Sequence, residues 1–129
     1  MHLKFGIESQ VCLLNSIALI SNAHANAVLV SGSHGGLSAA EFVVAVSEKP
    51  RCVFFNDAGG GKDDAGSVAL GILQNNGVPC ACYSHMSARI GEAEDGLENG
   101  IITGVNLLAK ALGIQINMAV KEAVELIVI

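Results

Sequence analysis

The sequence predicts an α/β fold: a three-layer α/β/α sandwich built on a small, mainly parallel sheet. Three observations carry this expectation. Short runs of β-branched and apolar residues alternate with stretches of helical spacing. The short runs are apolar throughout, without the in–out alternation of a half-exposed strand, so they belong in a sheet covered on both faces. Each run ends in a polar, mostly glycine-bearing loop, and strand–helix–strand units of about 25 to 30 residues build parallel sheets through right-handed crossovers.

The elements follow in chain order. A short strand is expected near Leu3 to Ile7, and Ser9 is placed to cap a helix from Gln10 to about Ser21. Ala27 to Ser31 reads as a strand running into Gly32-Ser33-His34-Gly35-Gly36, and Leu37 to Ser47 as a helix that stops before Pro50. Cys52 to Phe55 is a second strand, ending in Asn56-Asp57-Ala58 and three glycines. Ala65, Val68, Ala69, Ile72 and Leu73 then keep to one helix face, closed by Asn75-Asn76-Gly77. Val78 to Tyr83 is the third strand, ending in Ser84-His85-Met86-Ser87-Ala88-Arg89. Leu97, Ile101, Val105, Leu108 and Leu112 line one face of an expected helix that Gly113 stops. Asn117 is placed to cap a last helix from Met118 to about Leu126, with Lys121 and Glu125 paired one turn apart. Rossmann-like and flavodoxin-like arrangements both meet this description, because periodicity carries no information on strand order.

Composition narrows the function classes. The 129 residues fit a single α/β domain, 1–129. With 51% hydrophobic and 15% charged residues, the apolar surface must be buried in protein or in lipid. The best apolar run, Val11 to Ile20, contains Asn15 and Ser16 and falls well short of the roughly 20 residues a spanning helix needs. The N-terminus also lacks the basic region and cleavage site of a secretory signal. The expectation is therefore a cytoplasmic protein with no membrane partner, whose surplus apolar helix surface is covered in a homo-oligomer. A net charge of -5, with seven scattered Lys and Arg and no Trp, argues against nucleic acid as a partner. Cys12, Cys52, Cys80 and Cys82 match no redox or zinc spacing and read as buried free thiols.

Open sheets of this kind bind ligands beyond the carboxyl ends of their strands, so the three loops become one candidate site. In the first, Gly32, Gly35 and Gly36 permit a sharp strand-to-helix turn whose N–H groups suit an anion or a developing oxyanion. Ser31-x-Ser33-x-Gly35 is the nucleophile-elbow pattern with its first glycine replaced by serine. Ser33, Asp57 and His85 also follow the nucleophile–acid–base order of α/β-hydrolases, each just beyond an expected strand. A plain tight turn is the structural alternative. The second loop fails the nucleotide patterns: a Walker loop needs Gly at 56 and Ser or Thr at 63, where Asn and Asp stand. Asp63 and Asp64 read as helix N-terminal charges, whereas Asp57, directly after an apolar strand, calls for a cation, a His or a hydroxyl partner, with Lys62 as one candidate. In the third loop, His85 occupies the same strand-end position, and Arg89 either holds a carboxylate or phosphate or pairs with Glu92 or Asp95.

These residues predict a small-molecule enzyme of hydrolase-type or acid–base activity. Ser33, His34, Asp57 and His85 are the catalytic candidates, and Gly32, Gly35, Gly36, Lys62 and Arg89 the ligand-binding ones. His34, Asp57 and His85 are far apart in sequence and carry no metal-ligand spacing, so no metal is assigned, and no cofactor is named. The alternative is a non-catalytic binding or regulatory module for an acidic metabolite, held by loop N–H groups, Lys62 and Arg89.

Overall fold

The computed structural model describes residues 2–4, 10–59 and 67–128. A six-stranded sheet forms its centre, with strands β1 (His2–Lys4), β2 (Gln10–Leu14), β3 (Val28–His34), β4 (Cys52–Asn56), β5 (Cys80–Tyr83) and β6 (Ile102–Val105). The spatial order follows the chain, β1-β2-β3-β4-β5-β6. β2 to β5 are parallel, while β1 and β6 run antiparallel to their neighbours at the two edges. The helices are α1 (Leu37–Ala45), α2 (Ala69–Asn75), α3 (Ala93–Asn99), α4 (Leu107–Ala111) and α5 (Val120–Ile127), with two 3-10 turns at Ile17–Leu19 and Asn22–His24. The fold is α/β with a mostly parallel sheet, as the alternation of runs predicts.

Strand order dictates where the helices lie. When consecutive parallel strands are added always on the same side, right-handed crossovers place every linking helix on one face. Ala40 and Val43 of α1, Leu73 of α2 and Ile17 of the first 3-10 turn accordingly pack with Leu29, Val53, Phe55 and Cys82. The opposite face carries Val28, Val30, Phe54 and Tyr83, and is covered by the C-terminal third of the chain through Leu97, Val120, Val124 and Ile127. Rossmann and flavodoxin sheets contain a reversal of strand order; this sequential order has none, and so lacks the crevice such a reversal opens.

Two expected helices are not there. Gln10–Leu14 is a strand, because Val11 and Cys12 are both buried on opposite faces of the sheet. Continuous apolar runs of this length fit either element, and pairing with β1 and β3 decides. The expected helix over residues 97–112 breaks into α3, β6 and α4. Gly100 packs so closely that a Cβ there would stand 2.4 Å from the Gly96 carbonyl oxygen and 2.8 Å from Val120 Cγ2. The β-branched Ile101-Ile102-Thr103 favours a strand, and Asn106 restarts a helix by accepting from Ala109 N–H at 2.9 Å. In α5 the N-cap is Ala119 rather than Asn117, whose φ is +76°, and Lys121 pairs with Glu98 of α3 at 3.3 Å instead of Glu125. The Ser9 cap and the loop residues Gly60 to Asp64, Lys62 among them, lie outside the described residues.

Gly32 is hemmed in by backbone from two other segments. An added Cβ would meet Gly91 C at 2.6 Å, Asn15 O at 2.7 Å and Glu92 N at 2.7 Å, all main-chain atoms that cannot swing aside. The Gly32 carbonyl accepts from Gly91 N–H, and Asn15 Oδ1 accepts from Ala93 N–H at 2.9 Å, so three segments dock at this point. Gly71, by contrast, lies in α2 with nothing within 4 Å of an added Cβ. Gly32→Ala is therefore expected to destabilise by at least about 2 kcal/mol through overpacking, and Gly71→Ala to stabilise by about 0.5–1 kcal/mol through helix propensity. Urea unfolding followed by far-UV circular dichroism checks both.

Candidate active site

The chain leaves β4 through two side chains that fold back on their own backbone. Asn56 is fully buried, and its Oδ1 accepts from Ala58 N–H at 2.8 Å. Asp57 Oδ1 accepts from Gly59 N–H at 2.8 Å. Asn and Asp favour such turns because their side chains reach a backbone donor two residues on. The turn holds Ala58 at φ +51° and Gly59 at φ +75°, the left-handed region that suits glycine and strains alanine.

His85, just past the end of β5, sits on this turn. Its backbone N–H donates to Asp57 Oδ1 at 3.0 Å, and its ring Nδ1 lies 3.2 Å from the same oxygen. The ring passes over Gly59, where an added Cβ would stand 3.2 Å from His85 Cε1. Thr103, on β6, donates its hydroxyl to Asp57 Oδ2 at 2.8 Å. Asp57 therefore gathers four donors, and its side chain is 15% exposed against 45% for His85. Burial pushes the Asp57 carboxyl up, but the bonds from Gly59, Thr103 and His85 outweigh it and hold the pKa below the ordinary value. Asp57 is thus ionised at neutral pH and accepts only, so Nδ1 must carry a proton, and in the neutral imidazole the lone pair is then on Nε2.

Beside this pair an open recess of ≈ 380 Å³ is lined by Asp57, Gly59, Ser67, Leu70, Cys82, Thr103 and Gly104. The Cys82 thiol is pushed up to about 12 by burial and by the Asp57 charge, and stays protonated. No group of three or more His, Cys, Asp or Glu side chains is arranged to hold a metal among the described residues.

The first loop plays a different part from the one expected. Between Val30 and His34, β3 takes four residue steps against two on β4, from Phe54 to Asn56. Ser33 thus lies in a bulged strand, not on a strand-to-helix elbow. Its hydroxyl accepts from Ile17 N–H at 3.0 Å and its N–H donates to Ser31 Oγ at 3.0 Å; it makes no hydrogen bond with His85. The Gly35 N–H donates to Asn56 O at 3.1 Å and the Gly36 N–H to His34 O at 2.9 Å, so neither is free for an oxyanion. Gly32 serves the backbone docking described above. Gly36 is the α1 N-cap and, having no side chain, supplies no side-chain bond to the first N–H groups of α1. His34 pairs with Asn56 across the sheet, is exposed, and bonds to neither Asp57 nor His85 among the described residues.

Arg89 takes the structural alternative. Its backbone N–H donates to Asp95 Oδ2 at 2.8 Å, and its exposed guanidinium lies 3.9 Å from Glu92. Of the expected catalytic residues, Asp57 and His85 meet. Local spacing hides Thr103, because Ile101 to Val105 reads as helix; the β-branched run between Gly100 and Gly104 is the signal that points to it.

Asn56 and Tyr83 brace the site from below. Asn56 Nδ2 donates to Ala88 O at 3.0 Å, and the buried Tyr83 hydroxyl donates to Ser31 O at 2.6 Å. No protein-family model, curated protein or solved structure matches this chain.

Two outcomes follow from these contacts. Asn56→Asp replaces the donor to Ala88 with a buried carboxylate, and is expected to cost about 2–4 kcal/mol in a urea titration at neutral pH. Asp57, whose folded pKa is depressed, contributes stability that is fully present above the unfolded value near 3.9 and is lost as pH falls through the folded value. Asp95, held low by Asn99 and the Arg89 N–H, acts in the same direction. Asp57→Asn should therefore flatten, without abolishing, the fall of melting temperature below about pH 4.

Proposed function

We propose that this protein is a small-molecule enzyme whose chemistry is proton transfer at the Asp57–His85 pair. One observation carries the reading: a single carboxylate oxygen holds both the backbone N–H and the ring Nδ1 of His85. The imidazole is thereby fixed in tautomer and orientation, as a general base requires. Nε2 would take a proton from a water or from an acidic carbon of the substrate, and return it to the leaving group or to the product. A hydrolase of this kind would use activated water rather than Ser33, whose hydroxyl is engaged by Ile17.

Four buried free cysteines are in keeping with a reducing, cytoplasmic setting. Among the described residues no helix is long and apolar enough to cross a membrane. Exposed Leu37 and Phe42 on α1 support the expected homo-oligomer, and helices packed on both sheet faces support the three-layer sandwich. The binding-module alternative draws support from the N-terminus of α1, where the N-cap Gly36 supplies no side-chain bond.

The test is a panel of small esters, amides and lactones, together with proton exchange into D₂O followed by NMR. His85→Gln and Asp57→Asn should each lower turnover of any accepted substrate by about 10²- to 10⁴-fold. Turnover that survives His85→Gln unchanged would sink the proposal. Thermal stabilisation by a small carboxylate or phosphate, with no turnover on the whole panel, selects the binding module instead.

A further inference from the structure

β6 is the one strand of the site that arrives from the opposite direction. A parallel strand would bring its last residue to the loop edge of the sheet; antiparallel β6 brings its first residues there instead. Its register with β5 is also irregular. Val105 pairs with Ala81 and Gly104 with Cys82, but Tyr83 then pairs with Ile102. Thr103 is left as an extra residue, two on β6 against one on β5, which is a β-bulge.

The bulge changes which way Thr103 faces. In a regular strand residues 103 and 105 share a face, and 102 and 104 the other. Here Ile102 is fully buried in the cluster that includes Tyr83, and Val105 packs partly against that same cluster. Gly104 faces α2, where an added Cβ would stand 3.0 Å from Leu70 Cδ1. Thr103 joins Gly104 on the α2 side, with its hydroxyl on Asp57 and its side chain lining the recess. Without the extra residue, Thr103 would share Val105's face and be turned from the carboxylate. Bulges occur next to active sites for this re-aiming of a side chain.

We infer that Thr103 is a positioning residue of the Asp57–His85 pair, and that the β6 bulge is the device that delivers it. The inference rests on the proton-transfer reading of this site. Gly59 N–H, His85 N–H and the His85 ring all converge on Oδ1, whereas Thr103 is the one described donor on Oδ2. The threonine hydroxyl stops the carboxylate from rotating about its Cβ–Cγ bond and keeps Oδ1 in line with Nδ1. The same bond lowers the Asp57 pKa, which keeps the carboxylate an acceptor.

NMR on the intact protein tests this without any substrate. The Asp57 carboxyl carbon is titrated, and the ring ¹⁵N shifts of His85 are read, in wild type, Thr103→Val, Thr103→Ala and Thr103→Ser. The valine and alanine variants should move the Asp57 midpoint upward and shift the His85 ring nitrogens, while serine keeps both near wild type. The valine side chain preserves shape, so melting temperatures separate loss of the hydroxyl from loss of the fold. An unchanged Asp57 midpoint and unchanged ring shifts in folded Thr103→Val overturn the inference. Those readings are independent of turnover: activity lost in His85→Gln beside an unmoved Thr103→Val titration leaves the proposed chemistry standing and removes Thr103 from it.

Discussion

Asn56 holds the candidate site together by engaging all three strand-end loops at once. Its carbonyl accepts from Gly35 N–H of the first, its Oδ1 from Ala58 N–H of the second, and its Nδ2 donates to Ala88 O of the third. It is fully buried, so each of these bonds acts in a low dielectric where an unpaired amide is costly. An amide is the one side chain of this length that donates at one corner and accepts at the other without charge. The turn it shapes puts Asp57 under His85, and the loop it anchors is the one that carries His85.

The sheet supplies the platform by a different route from a doubly wound fold. Because β2 to β5 are added in one direction, their crossovers cover one face, and the C-terminal third of the chain must return to cover the other. That return is what turns β6 antiparallel. The recess opens at the boundary between the parallel strands and β6, where Asp57 and Cys82 from one side face Thr103 and Gly104 from the other. Close packing enforces the arrangement: Gly32 beneath Gly91, and Gly96 against the Tyr83 ring, where an added Cβ would stand 2.7 Å from Cζ.

Several elements were legible from local pattern. β3, β4, β5, α1 and α2 follow from apolar runs and 3.6-residue spacing, with boundaries shifted by a few residues. Gln10–Leu14 is not legible in this way, because an apolar run without alternation is compatible with either a helix or a doubly covered strand. Residues 97–112 are not legible either, because the apolar spacing of two short helices and a strand falls near a helical period. At the site, Asp57 and His85 were legible as polar groups directly after apolar strands. Ser33 resembles a nucleophile by motif and by chain order, but in the bulged β3 its hydroxyl accepts from Ile17 N–H instead.

The sequence by itself determined the α/β class, the parallel strands and the polar strand ends that hold Asp57 and His85. These depend on period, propensity and turn chemistry, which act over a few residues. Only the tertiary structure decided the strand order, the turn of β6 and the partner of Asp57 Oδ2. Each of those depends on contacts between distant segments: 28 residues separate Asp57 from His85 and 46 separate it from Thr103. A one-residue bulge decides which face a threonine occupies, and local periodicity does not register it until the neighbouring strand is in place.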